Sequence, residues 1–180
     1  MSEPHRPGHG VLLVGVPPLE EWVRARTAHY DASFVSADPA FAHAHVTVLA
    51  PFPGEGPGIA ARVAAVAAAV EPFAYTLERV ETFPDGVVHL VPEPDDGFRA
   101  LTAAARAVAP EVDPYWGRFD PVPHLTLDRL GSGVTEQSTR DAVAHLLPAR
   151  ATASALLWTW WESGACRVLG RFPLGAAPRD

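Results

Sequence analysis

The sequence predicts a mixed helix-and-strand protein formed by internal duplication, with two pseudo-symmetric lobes facing one cleft. Three observations point there. The tripeptides His45-Val46-Thr47 and His124-Leu125-Thr126 share one pattern. The two histidines lie 79 residues apart (124 − 45), and so do the two threonines. The same offset carries the flanking elements onto one another: helix, His-x-Thr strand, helix, strand pair.

Val11 to Val16 is a short apolar run ended by Pro17-Pro18, which reads as a buried strand. Leu19 to His29 has helical spacing, and Pro18 fits its first turn. After a loop through Asp38-Pro39, Ala44–Ala50 alternates Val46, Val48 and Ala50 with His45, Thr47 and Leu49, a strand pattern. Gly58 to Val70 is an alanine- and valine-rich helix that stops before Pro72. Phe73–Phe83 and Gly86–Val91 are strands joined across Pro84-Asp85-Gly86.

Gly97 to Val108 is the next helix, opened by Asp95-Asp96 and closed before Pro110. A loop rich in proline and aromatic residues runs from Asp113 to Pro123. Pro123–Arg129 is the second motif's strand. Thr135–Leu147 is a helix with Thr135 as its cap and Ser138 where a capping-box partner would stand. Ala151–Trp161 and Ala165–Pro173 form the last strand pair.

Residues i and i+2 of a strand share a face, so each histidine projects together with its threonine. Facing lobes would bring two imidazoles and two hydroxyls into one cleft. One neutral imidazole can take a proton from the attacking oxygen while the other, protonated, supplies the leaving oxygen. Each such transfer contributes about 100- to 10,000-fold. An ordinary histidine pKa of about 6.5 makes both forms accessible. The threonine hydroxyls can hold the non-bridging phosphate oxygens. This chemistry needs no metal and no cofactor.

Composition narrows the field. The chain has 180 residues, 48% hydrophobic and 19% charged, enough for a packed core. Its net charge of −7 argues against an extended duplex nucleic acid as main ligand. All 14 basic residues are arginine, a side chain suited to bidentate phosphate contacts. The single cysteine, Cys166, excludes a disulfide framework and a thiolate metal cluster. The polar N-terminus lacks the apolar core of a signal peptide, and no apolar run is long enough to cross a bilayer. A cytoplasmic monomer is expected.

His45-Val-Thr-Val-Leu49 and His124-Leu-Thr-Leu127 resemble the two H-x-T-x motifs of the 2H phosphoesterase superfamily, in its 2'-5' RNA ligase-like branch. The resemblance runs from the Gly10–Val16 strand to Phe172-Pro173-Leu174-Gly175. It implies a single bilobal α+β domain over residues 1–180, with two antiparallel sheets flanking a central cleft and helices outside. It also implies metal-independent chemistry on 2',3'-cyclic phosphates or 2'-5' phosphodiesters of nucleotides or RNA ends. Carried over by motif, His45 and His124 are catalytic, and Thr47 and Thr126 bind phosphate. Family precedent gives His124 as the base in hydrolysis and His45 as the acid; the residues themselves leave the roles open.

Other signals are weighed against plainer readings. His43 and His45 form a His-x-His pair, but no carboxylate follows at ligand spacing, so His43 is expected at the cleft edge or surface. His89 is either a substrate contact or a hydrogen-bonded structural histidine. Tyr115, Trp116 and Phe119 are either a lid that stacks on a base or packing for their loop. Phe52 is a candidate contact, with core packing favoured. Trp158, Trp160 and Trp161 read as core and sheet-face residues, and Arg167 and Arg171 as solvated. His5, His9, His29 and His145 are expected to face solvent. Beside hydrolysis, three alternatives stand: RNA 2'-5' ligation, nucleotide binding without catalysis, and a pathway enzyme for an unusual phosphodiester.

Overall fold

The computed structural model describes residues 7–176, so His5 lies outside the described residues. Twelve regular elements follow in chain order: β1 (His9–Gly15), α1 (Glu20–Asp31), β2 (His45–Phe52), α2 (Ile59–Ala68), β3 (Phe73–Thr82), β4 (Val87–Glu93), α3 (Asp96–Val108), β5 (Leu125–Arg129), α4 (Glu136–Val143), β6 (Ala149–Ala153), β7 (Ala155–Trp161) and β8 (Arg167–Pro173). A short 3-10 turn, Pro17–Leu19, leads into α1. Thr135 caps α4 as expected, and Ser138 completes a capping box in the place where Glu or Gln is the usual partner.

The strands build two four-stranded antiparallel sheets, ordered β2-β1-β7-β8 and β5-β4-β3-β6. This is the α+β architecture expected. Each His-x-Thr strand is an edge, and the two edges meet where the sheets adjoin. Edge position leaves β2 and β5 with one unpaired side each, so a ligand can approach their residues.

Two features depart from the linear reading. The Ala151–Trp161 strand is two strands, broken at Ser154: β6 pairs with β3 in one sheet, and β7 pairs with β1 in the other. The hairpins are also exchanged. β3–β4 follows the first motif but joins the second motif's strand, β5. β7–β8 follows the second motif but joins the sheet of the first, β2.

One apolar cluster runs through both sheets and takes residues from all four helices, including Val23, Val63, Leu101 and Val143. On α3, Phe98, Leu101 and Ala105 follow the helical period and are buried. Gly97 lets that helix approach β3 closely, since a Cβ there would stand 2.5 Å from the Phe73 ring. A smaller cluster of Val11, Leu13, Ala50 and Leu157 packs with Trp161. Leu13 pairs with Thr47, which puts this apolar floor on the face that carries His45 and Thr47.

Two ties cross between the sheets. From α1, Arg26 donates through Nε to Asp128 on β5 at 3.0 Å, and a second guanidinium nitrogen pairs with the same oxygen. From α3, the Thr102 hydroxyl donates to the Val48 carbonyl of β2 at 2.8 Å. Each helix thus braces the edge strand of the opposite sheet. Among the described residues, no helix is long and apolar enough to cross a membrane.

Candidate active site

Both motif histidines make the same local hydrogen bond. His45 Nδ1–H donates to the His43 carbonyl at 2.8 Å, and His124 Nδ1–H donates to the Val122 carbonyl at 2.6 Å. A carbonyl only accepts, so the Nδ1 proton is fixed and Nε2 is left as the nitrogen that gains or loses a proton. The ring orientation is thereby set within three residues of chain. The same bond recurs at His89, whose Nδ1 lies 3.2 Å from the Val87 carbonyl.

Desolvation dominates the electrostatics of the pair. His45, flanked by Trp161 with ring centroids 5.1 Å apart, has its pKa drawn down to about 4. Burial is the main cause; the bond to His43 opposes it, and the charge His124 would carry adds to it. The His124 pKa is lowered too, chiefly by burial, with the neighbouring His89 contributing. Both imidazoles are therefore neutral at neutral pH.

His43 is the main correction to the sequence reading. It is buried, 4% exposed, rather than at the surface, although it still borders the cavity that opens from His45. Its Nδ1–H donates to Glu20 Oε1 at 2.6 Å, and its Nε2 accepts the Ser36 backbone N–H at 3.0 Å. Neither ring nitrogen remains for a metal. Glu20 also accepts the His43 and Ala44 backbone N–H groups, at 3.0 and 2.8 Å. Burial would raise the Glu20 pKa, but these bonds outweigh it and hold the carboxylate below its usual range. The first turn of α1 therefore clamps the chain just before His45.

Thr47 is partly exposed, with the Tyr115 side chain beside it. Burial raises the Tyr115 pKa, and the nearby Thr47 side chain opposes that rise. Tyr115 and Trp116 hold left-handed backbone (φ 51 and 55), followed by Gly117 at φ 72. Such conformations cost about 1–2 kcal/mol per non-glycine residue. Strain of this kind collects at ligand sites. Tyr115 stacks on Phe119 at 4.4 Å, while Trp116 is half exposed and meets His9 edge-on at 5.2 Å. That contact keeps His9 on β1 partly buried rather than free in solvent, whereas His29 and His145 are exposed as expected.

Thr126 is exposed on β5, opposite His89 in register. His89 is 2% exposed, stacked on Phe83 at 3.7 Å and edge-on to His124 at 5.5 Å. It backs His124 rather than opening onto solvent. Phe52 is likewise buried in the core. Arg167 and Arg171 are exposed, with Arg167 lying over the Trp160 ring.

A cavity of about 390 Å³ opens from His45 and Thr126 along α1, lined also by Arg26, Tyr30, Phe34, Arg129 and Trp161. Linear reading assigned none of these lining residues to the cleft except the motif pair. One signal was present: Trp161 shares the parity of Leu157, out of phase with the buried Trp158, so it belongs to the cleft face. Asp128 is buried and accepts from Arg26, from the Tyr30 hydroxyl at 2.5 Å and from the Thr139 hydroxyl at 2.7 Å. These bonds overcome desolvation and lower its pKa.

The 2'-5' RNA ligase superfamily model matches residues 15–165. Solved structures share the architecture. E. coli LigT complexed with 3'-AMP aligns at TM-score 0.57 and 19% identity, covering 94% of this chain and 99% of that one. TT0787 of Thermus thermophilus aligns at TM-score 0.57 and 21% identity, covering 93% and 98%. E. coli LigT complexed with NADP+ aligns at TM-score 0.53 and 18% identity, covering 95% and 100%. No curated protein matches in sequence. Given the paired motifs, the two-sheet architecture and the matched residues, the chain belongs to the 2'-5' RNA ligase superfamily, the 2H phosphoesterases.

Proposed function

We propose that the chain is a metal-independent phosphodiesterase. Its substrate is a 2',3'-cyclic phosphate or a 2'-5' phosphodiester on a nucleotide or RNA end. The whole chain works as one bilobal unit in this reading, each sheet contributing one histidine and one threonine. The observation that carries the proposal is the matched Nδ1–H···O=C bond of His45 and His124, which dedicates both Nε2 atoms to proton transfer.

In hydrolysis, His124 Nε2 takes a proton from water as its oxygen attacks phosphorus. The bond to the leaving ester oxygen breaks, and His45 Nε2–H gives that oxygen its proton. Thr47 and Thr126 donate to the non-bridging oxygens, where negative charge grows. The cavity beside His45 supports this assignment of roles, because the organic part of the ester then lies on the leaving-group side. A bound phosphodiester anion raises both imidazole pKa values, so the substrate itself helps His45 acquire the proton it donates.

The test is a panel of four 2',3'-cyclic nucleotides and a 2'-5' dinucleotide, scored for turnover and for the position of the product phosphate. Turnover that persists in a chelator and disappears in His45→Ala and His124→Ala is expected. Turnover that requires an added divalent metal overturns the proposal. Binding of the nucleotides without turnover identifies a binding module instead, and joining of RNA ends under the same conditions identifies a ligase.

A further inference from the structure

We propose that His89 is a positioning residue for His124: with Phe83 it forms a platform of two rings that holds the motif imidazole for proton transfer. The inference rests on the phosphodiesterase reading for the task of His124 and goes beyond it in naming what holds that ring.

The two motif histidines are not supported alike. The carbonyl that receives the His45 ring proton belongs to His43, which Glu20 clamps through ring and backbone. The carbonyl that receives the His124 ring proton belongs to Val122, which is exposed in the irregular chain before β5. One hydrogen bond sets the tautomer of an imidazole but not its tilt. The second support comes from the β3–β4 hairpin.

Alternation on β4 buries Val88 and Leu90 in the core and turns His89 to the opposite face, beside Thr126 in register. A ring on that face would ordinarily meet the cleft, yet His89 is 2% exposed. Phe83 is stacked on it at 3.7 Å, and His124 stands edge-on to it at 5.5 Å. Phe83 also meets His124 edge-on, with centroids 4.9 Å apart and planes at 90°. The His124 imidazole therefore stands on two mutually stacked rings, and edge-to-face contact favours one tilt over others. One acceptor fixes the platform. The Val87 carbonyl takes the Phe83 backbone N–H at 2.9 Å and lies 3.2 Å from His89 Nδ1.

Charge matters as well as shape. A proton on His89 would repel the one that His124 takes up, whereas Asp85 in the hairpin turn favours it. The other charged groups around the pair come from four elements. Glu81 on β3 lies opposite His89 and pairs with Arg79, and Glu136 on α4 pairs with Arg140. Arg129 on β5 donates to the Asp85 carbonyl, and His45 acts from β2. A phenyl ring in place of His89 keeps the flat contact and removes only its proton, so shape and charge can be separated.

The test follows the His124 ring by NMR titration of protein labelled in its histidines. It compares the unaltered chain with His89→Phe and His89→Ala, uses His124→Ala to assign the signals, and checks folding by thermal melts. In His89→Phe, kcat on a 2',3'-cyclic nucleotide should stay within about threefold of the unaltered value. The His124 titration should move to higher pH in the same variant, because a repelling proton is gone. In His89→Ala the platform is lost, and kcat should fall about tenfold with little change in KM. An unmoved His124 titration in folded His89→Phe overturns the proposal, and this result decides the matter if His89→Ala does not fold. So does an unchanged kcat in folded His89→Ala, or a loss in His89→Phe as large as in His89→Ala. Failure to turn over any cyclic nucleotide sinks the catalytic reading alone, because the titration still reads the hold of His89 on His124.

Discussion

Glu20 holds His43 at two points, the ring Nδ1 at 2.6 Å and the backbone N–H at 3.0 Å. The His43 carbonyl in turn receives the His45 ring proton. A carboxylate on α1 therefore sets the orientation of a motif imidazole without touching the cleft chemistry itself.

Glu20→Ala should strand these donors and cost about 2 kcal/mol of stability. Its kcat should fall about tenfold with little change in KM, because a tilted imidazole weakens proton transfer more than binding. Glu20→Gln, which keeps an acceptor oxygen, should recover part of the loss. Steady-state kinetics beside urea melts separate the two effects. A kcat that tracks only the folded fraction would reduce Glu20 to a structural role.

Replacing either motif histidine by alanine should lower turnover of the preferred cyclic nucleotide by about 100- to 10,000-fold. The double variant should be little worse than the poorer single one if the two act as a unit in the proposed reaction. Product formation under single-turnover conditions measures this.

The His45 pKa has a consequence for stability. The unfolded ring titrates near 6.5 and the folded one at about 4. Between those values the unfolded chain binds the extra proton, so stability falls as pH drops from about 6.5 towards about 4 and is fully present above that window. His124, also lowered, acts in the same direction. The His45 contribution is at most about 3 to 4 kcal/mol. Urea melts across that pH range should show the loss, His45→Gln should shrink it, and kcat/KM should peak below about pH 6.5.

Tyr115→Phe removes the hydroxyl beside Thr47 and keeps the ring stacked on Phe119. With Thr47 free to rotate away from phosphate, kcat/KM should fall about three- to tenfold while the melting temperature hardly moves. Unaltered kinetics would mean that the strained turn serves packing alone.

The two ties between the sheets should differ in strength. Asp128→Ala leaves Arg26 and two hydroxyls without their acceptor and should destabilise by about 2–3 kcal/mol. Thr102→Val removes one bond to the Val48 carbonyl and should cost about 1 kcal/mol. Denaturant midpoints measured side by side check the order.

Much of this was legible in the residues. Period-two and helical spacing located most elements, and Thr135 caps its helix as expected. Parity also put His45 beside Thr47 and His124 beside Thr126, because strand alternation is a local property of the backbone. The same rule places Trp161 on the cleft face, a finer position than the core or sheet-face role read for Trp158, Trp160 and Trp161 together.

Sequence by itself determined which side chains share a strand face and that the framework repeats. Only the tertiary structure decided which sheet each strand joins. The hairpin after the first motif pairs with the second, and the run through Ser154 divides between sheets. Pairing is settled by hydrogen bonds between distant segments, and those leave no periodic trace in the chain. The clamp of Glu20 on His43 is hidden for the same reason: 23 residues separate a helix start from the strand it orients.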